Sequence, residues 1–285
     1  MPPDGGRNWR WRPRKDNIGS VTTDMQDFLG IEPTERAEQW KLPVRLDICG
    51  GRDSIYGGCG LAAAIEAAES VTGRPLAWAS CQFLRPAHAG QTIDLDVQIK
   101  AEGRAVSHGR VIATVDGQEV FATMVSLGER DFPAKGVWQE MPNVIAPEQC
   151  PPRYIRAENK GGLREQIEER AVTTDPSGII RSEDGRSAVW ARLPGGLPAA
   201  ASALAVLGDA VSTGLSAVLD PDAQAPSIDN TIRVVAPKAC DWILSDVEIR
   251  AVGRGLAHGV INMWSPDGDL LAVTAQTGVV RIRGT

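Results

Sequence analysis

The chain has 285 residues, enough for one large domain or for two of ordinary size. With 42% hydrophobic and 23% charged residues it has a globular composition, and we expect no membrane partner because no run approaches the ~18 apolar residues of a spanning helix. The formal net charge of −6 disfavours nucleic acid as a partner, since phosphate binding requires a basic surface.

The cysteine and glycine residues narrow the possible cellular compartment and the possible kinds of binding site. The five scattered cysteines form no CxxC pair, so we expect a reducing cytoplasm and no structural zinc site. The glycine-rich run Gly57–Gly60 lacks the GK[S/T] ending of a phosphate loop. These glycines instead indicate close backbone approach at a helix start, and we expect neither a cofactor nor a metal ion.

The first part of the chain predicts a tail, a short helix and a strand. Residues 1–20 are polar, with a basic patch at 9–12 and no apolar core, which is typical of a mobile tail rather than a secretory signal. Thr22 or Thr23 is the predicted cap of a helix that runs through Leu29 and ends at Gly30. Glu35–Leu46 then alternates like a strand.

A helix followed by a run of strands comes next. Leu61–Val71 is rich in alanine, as expected of a helix closely covered by a sheet. The predicted strands after it are Ala79–Phe83, Gln91–Glu102, Ala105–Val115 and Glu119–Leu127. One helix followed by long antiparallel strands indicates an α+β fold.

The same order of elements returns after a connector. Residues 129–170 are dense in proline and glycine, and Ala171–Leu193 contains two possible strands. A second helix is predicted over Pro198–Leu219, followed by strands at Ser227–Val235 and Leu270–Ile282.

An internal repeat explains this recurrence. Asp96–Gly109 reads DVQIKAEGRAVSHG, and Asp246–Gly259 reads DVEIRAVGRGLAHG at a shift of 150 positions. We therefore predict two copies of one domain, at 21–128 and 171–285. His108 and His258 share a repeat position, which favours a structural role for both.

An ordered set of short motifs resembles a known family. The motifs are Phe83–Pro86, the strand pair around Gly103, Ser227–Asn230, Trp242–Asp246 with Gly253–Gly255, and Ala275–Gly278 with Arg281. Together with the duplication they resemble the acyl-CoA thioesterase II family over roughly residues 22–284. The resemblance implies a double hotdog fold, with two tandem repeats that each wrap a long helix in an antiparallel sheet.

The resemblance also implies a catalytic set. In that family an Asp on the second helix, a Ser or Thr at the next strand's start and a Gln on the last strand hold the water that attacks the thioester. The matching residues are Asp209, Ser227 and Gln276. The chain departs from the family at Asn230, where His is usual, and at Thr277, where Glu often stands. An ionised Asp accepts the proton of water, while Ser and Gln fix its position.

The repeat predicts one active site in each chain. Aligned across the copies, Gln276 falls opposite Val125, Ser227 opposite Leu76 or Ala77, and Asp209 opposite Glu66. The first copy thus lacks two of the three groups.

The expected reaction is hydrolysis of a fatty-acyl-CoA or related acyl-CoA to free acid and CoA, within fatty acid metabolism. We expect a homodimer or higher homo-oligomer, because hotdog sheets leave edges and broad faces that associate. A non-catalytic acyl-CoA sensor and a hotdog-fold enoyl-CoA hydratase stay as alternatives. The sequence leaves the acyl chain length, the CoA-phosphate contacts and the oxyanion donors open.

Overall fold

Strands of alternating exposed and buried residues build one antiparallel sheet in the computed structural model. The structure describes residues 24–50, 53–131, 133, 135–155, 162–196 and 200–282. The predicted tail at 1–20 and the predicted caps Thr22 and Thr23 lie outside these ranges. Within them, twelve strands pair in antiparallel fashion into a single sheet, which agrees with the predicted α+β class.

The helices and strands have the following bounds. The strands are β1 (Glu32–Pro33), β2 (Gln39–Pro43), β3 (Leu76–Phe83), β4 (Thr92–Glu102), β5 (Ser107–Val115), β6 (Gln118–Leu127), β7 (Glu168–Ala171), β8 (Arg186–Arg192), β9 (Ser227–Val234), β10 (Ile243–Gly253), β11 (Leu256–Trp264) and β12 (Leu270–Val279). The helices are α1 (Met25–Leu29), α2 (Gly57–Thr72), α3 (Leu163–Gln166), α4 (Ala201–Leu207) and α5 (Val211–Val218).

The order of strands repeats from each edge of the sheet to its centre. The order is β1-β2-β4-β5-β6-β3 in the first half and, read inward from the other edge, β7-β8-β10-β11-β12-β9 in the second. The halves join where β3 pairs with β9. A register shift lies between Ile99 and Ala101 and recurs, 150 positions later, between Ile249 and Ala251. The repeated sequence thus produces the same strand pair, including its irregularity.

Two helix boundaries differ from the prediction. Asp24 caps α1, accepting from the backbone N–H of Asp27, and Gly30 ends the helix in the left-handed conformation. The second long helix was predicted over Pro198–Leu219 without interruption, and this was wrong. The chain instead forms α4 and α5, separated by Gly208, Asp209 and Ala210.

Side-chain bonds from β12 accompany the break between α4 and α5. Thr274 Oγ1 donates to the Gly208 carbonyl at 3.0 Å, and Gln276 Oε1 accepts from the Val211 backbone N–H at 3.0 Å. These bonds satisfy backbone groups that a continuous helix would pair internally. The break places Asp209 between two helix ends and directs its carboxylate towards the sheet.

The main core lies where the helices meet the sheet. α2 packs on α4 and on β4 and β6, and α5 packs on β10 and β11. The small residues Ala62, Ala63 and Ala64 of α2 are fully buried, so the predicted tight covering of this helix is present.

The connector covers part of the second half of the sheet. Trp190 of β8 donates from its indole N–H to the Ile145 carbonyl at 2.9 Å. Met141 and Val144 pack with Trp190 and Trp264 in a separate apolar cluster. β10 is consequently buried on both faces over much of its length.

One segment, Ala201–Val218, is long and apolar enough to cross a membrane by length and composition, so the expectation that no run approaches this length was wrong. It coincides with α4 and α5, and 83% of it is buried within the fold, as is common for core helices.

Candidate active site

Asp209 lies at the centre of a buried polar cluster. Its side chain is 8% exposed, and three groups donate to its carboxylate. Gly58 donates from its backbone N–H to Oδ2 at 2.7 Å, and Ser227 donates from Oγ to Oδ1 at 3.3 Å. Gln276 donates to Oδ1 from its amide nitrogen. The structure therefore brings together all three residues that the resemblance implied.

Gln276 is fixed at both ends of its amide. Its oxygen accepts from the Val211 N–H, and its nitrogen donates to Asp209 and, at 3.3 Å, to Ser227 Oγ. Gln276 is 3% exposed and lies on the face of β12 that meets the helices. An inward-facing amide among apolar strand residues thus has a partner for each of these bonds.

A β-bulge directs Ser227 into this cluster. Thr277 of β12 pairs with Asp229, whereas the next residue, Gly278, pairs with Ser227. Ile228 is the extra residue of the bulge, and it is 40% exposed. Because successive strand side chains alternate in direction, one extra residue places Ser227 on the same face as Gln276. Asp229 has a local role, since it accepts from the Thr277 backbone N–H at 2.8 Å.

The first half of the chain contributes the start of α2. Tyr56 donates from its hydroxyl to the Asp209 carbonyl, and Gly58 in the first turn of α2 binds the carboxylate. A Cβ at Gly57 would lie 2.8 Å from Asp209 Oδ2, and one at Gly58 would lie 2.8 Å from the Ala205 carbonyl. The predicted close backbone approach is therefore present. The glycine run was the only sequence signal for this contribution, and nothing in the sequence indicated Tyr56.

The environment of Asp209 has opposing effects on its charge. Burial raises the pKa of Asp209 above its ordinary value, and the hydrogen bonds from Gln276 and the Gly58 N–H oppose this rise. The positive end of the α2 dipole also favours the carboxylate. A carboxylate of raised pKa is a stronger base than a solvated one.

Asn230, His108 and His258 form no hydrogen bond to the Asp209 carboxylate among the described residues. Asn230 lies beside Gln276 in the β9–β12 register and is fully buried, and its amide has no hydrogen-bond partner among the described residues. His108 contacts the Ser126 hydroxyl at 2.9 Å, and His258 contacts the Thr277 hydroxyl at 3.3 Å. These equivalent contacts agree with the structural role expected for the two histidines.

The first half has apolar residues where the second half has Ser227 and Gln276. β5–β6 pairs Gly109 with Val125 as β11–β12 pairs Gly259 with Gln276, which equates Val125 with Gln276. The matching shift in β3 equates Leu76 with Ser227.

Glu66, the counterpart of Asp209, has a different set of partners. Glu66 accepts from the Ser202 hydroxyl at 2.5 Å and from the Gln26 amide at 3.3 Å. Over the described ranges, no group of three or more His, Cys, Asp or Glu side chains is arranged to hold a metal ion.

The site combines a buried carboxylate, a hydroxyl and an amide next to a helix N-terminus. Family models match both halves, with the acyl-CoA thioesterase N-terminal domain over residues 45–128 and the C-terminal domain over residues 147–280. The chain belongs to this acyl-CoA thioesterase family, and it is a thioester hydrolase. The resemblance seen in the sequence is thereby confirmed.

Solved structures show the same fold. A protein from Novosphingobium aromaticivorans described as a thioesterase is 28% identical, with a TM-score of 0.79, and the match covers 88% of this chain and 98% of that one. A hot dog fold protein of Alicyclobacillus acidocaldarius is 20% identical (TM-score 0.80; 90% and 98% covered). An acyl-CoA thioesterase II of Mycobacterium marinum is 19% identical (TM-score 0.72; 91% and 99% covered). A comparison with curated protein sequences finds no match.

Proposed function

We propose that this enzyme hydrolyses a fatty-acyl-CoA or related acyl-CoA to free acid and CoA at a site formed by Asp209, Ser227 and Gln276. The observation that supports this most strongly is the buried Asp209 carboxylate, held by Gln276, Ser227 and the N-terminus of α2. These are the groups needed to take a proton from water and to fix the water against a thioester carbonyl.

In the proposed reaction, Asp209 accepts a proton from a water that Ser227 and Gln276 orient. The water oxygen forms a bond to the thioester carbon, and the carbonyl electron pair moves to oxygen. When the carbonyl re-forms, the carbon–sulfur bond breaks and CoA leaves as a thiolate, which takes up the proton. The positive end of α2 favours the transient oxyanion, since it stabilises negative charge near its N-terminus.

The two halves of the sheet support a double hotdog architecture, with 21–128 and 171–285 as repeats and 129–170 as the connector. We propose one active site in each chain, because Leu76 and Val125 stand where a second site would need a hydroxyl and an amide. We further propose a cytoplasmic homodimer or higher homo-oligomer. The free cysteines and exposed apolar residues such as Met124 and Trp138 support this.

The test is release of CoA thiol from a panel of acyl-CoAs by the wild type and three variants. Asp209→Asn and Gln276→Ala should each lower kcat about 10²-fold or more, as expected when a general base or its positioning partner is lost. Glu66→Gln is the matched control, because Glu66 is the repeat counterpart of Asp209 and bonds Ser202 rather than the cluster. It should retain wild-type kcat.

The outcomes separate the alternatives. Equal turnover by the wild type and Asp209→Asn would remove Asp209 from the mechanism. A folded wild type that binds acyl-CoA but releases no thiol at any chain length would favour the sensor interpretation.

A further inference from the structure

A small cavity lies beside the proposed site, between α5, the connector and the loop before β8. It has a volume of about 50 Å³, room for a small group but not for a nucleotide. The residues that matter for its chemistry are Arg153, Arg164, Ser212, Thr213 and Ser216. The reaction proposed above uses none of them.

The wall of this cavity carries more positive than negative charge. The Arg153 and Arg164 side chains are 15% and 14% exposed, and both pair with the single carboxylate of Glu169. Arg153 Nη1 lies 2.9 Å from Glu169 Oε2, and Arg164 donates to the other oxygen. A guanidinium has five N–H groups, and each of these two donates only one hydrogen bond to the residues that the structure describes. Two cations sharing one anion favour a further anion at this wall.

Thr213 adds an unused hydroxyl to the same wall. It is 4% exposed, and its Oγ1 has no hydrogen-bond partner among the described residues. The other two hydroxyls of this wall already form hydrogen bonds: Ser212 Oγ accepts from the Ala225 N–H, and Ser216 Oγ donates to the Thr213 carbonyl. A buried hydroxyl without a partner is costly, and a bound anion would satisfy it.

The cavity is close to the thioester position. Thr213 lies in the first turn of α5, directly after the break that holds Asp209. Arg164 lies over the ring of Tyr56, 5.6 Å from its centroid, and Tyr56 donates to the Asp209 carbonyl. Arg164 also attracts the Asp209 carboxylate, so it offsets the repulsion between that carboxylate and a second anion nearby.

We propose that this cavity binds a carboxylate at the far end of a short acyl group, so that the preferred substrates are CoA thioesters of short dicarboxylic acids. The CoA phosphates do not fit this position, because the whole pantetheine arm separates them from the sulfur. The inference rests on the proposed function, since it places the thioester at Asp209.

The test compares kcat/KM for glutaryl-CoA and succinyl-CoA with that for neutral valeryl-CoA and butyryl-CoA. For the wild type, the ratio of kcat/KM for the dicarboxylyl-CoAs to that for the neutral acyl-CoAs should be roughly ten or more, the size expected of a charge-assisted hydrogen bond. Arg153→Gln should bring this ratio close to one. Arg170→Gln should leave the ratio at its wild-type value, because Arg170 pairs with Glu168 outside the cavity.

Thr213→Val provides a second variant that keeps the fold, since it replaces an unpartnered hydroxyl with a methyl group. It should lower the ratio several-fold while the melting temperature stays at or above that of the wild type. A ratio near one in the wild type, with neutral acyl-CoAs turned over, would overturn this inference alone. No turnover of any thioester would overturn the proposed function itself. If Arg153→Gln weakened CoA thioesters but not the matching acyl-pantetheines, the cavity would bind phosphate and the inference would be wrong.

Discussion

Replacing Gly58 with alanine tests whether the contact between the two halves forms the site. The new Cβ would lie 2.8 Å from the Ala205 carbonyl and 2.9 Å from the Val206 Cα, so α2 would have to move away from α4. Overpacking of this kind costs about 1–3 kcal/mol, which exceeds the ~0.5–1 kcal/mol that alanine gains over glycine in a helix. We expect a lower free energy of unfolding in urea, followed by fluorescence of the eight tryptophans.

The same substitution should lower kcat, because the Gly58 N–H moves away from the Asp209 carboxylate. A hydrogen bond to a charged group contributes about 1.5–3 kcal/mol, so a loss of ten-fold or more is expected. Gly253→Ala is the control, since a Cβ there meets nothing within 4 Å. It should change stability by less than ~0.5 kcal/mol. If Gly58→Ala were as stable and as active as Gly253→Ala, the inferred contact between α2 and Asp209 would be refuted.

Three further predictions concern buried carboxylates. Glu169→Gln should lower the free energy of unfolding in urea by about 3–5 kcal/mol, because two buried arginines lose their partner. The control is the neighbouring Glu168→Gln, which removes a more exposed ion pair and should cost ~1 kcal/mol or less. Gln276→Glu should move the acid limb of the pH–rate profile to higher pH, since a second carboxylate raises the pKa of Asp209, which must be ionised to act. An unchanged acid limb would argue against Asp209 as the base. Burial raises the pKa of Glu69 to about 7, so the folded state retains a proton that the unfolded state releases above pH 4.5. The free energy of unfolding should therefore fall as the pH rises from 4.5 to 7. Glu69→Gln should flatten this dependence, as measured by thermal unfolding.

Local repetition made much of the fold predictable. The match between Asp96–Gly109 and Asp246–Gly259 fixed two strand pairs, and their common register shift shows that equal sequences produced equal irregularities. The alignment also equated Val125 with Gln276, as the ladders do. Periodicity alone did not identify the site residues. The family resemblance supplied them, since Asp209 and Ser227 have spacings common on any polar face.

The parts that were not predicted depend on partners distant in the sequence. Gly208, the C-cap of α4, is only a weak signal of the helix break, because an isolated glycine costs ~1 kcal/mol and is tolerated within helices. The break accompanies bonds from Thr274 and Gln276, more than 60 positions further along the chain. The bulge at Ile228 likewise depends on the ladder with β12. An interruption of this kind becomes visible only when the tertiary partners are known.

The contact between Gly58 and Asp209 has a consequence for how the site assembles. The two residues lie 151 positions apart in one chain, so the carboxylate and its helix N-terminus meet by an intramolecular event. Covalent linkage makes the effective concentration of one half around the other independent of the protein concentration. The Gly58–Asp209 contact should therefore persist on dilution, whereas the same contact between two separate subunits would be lost.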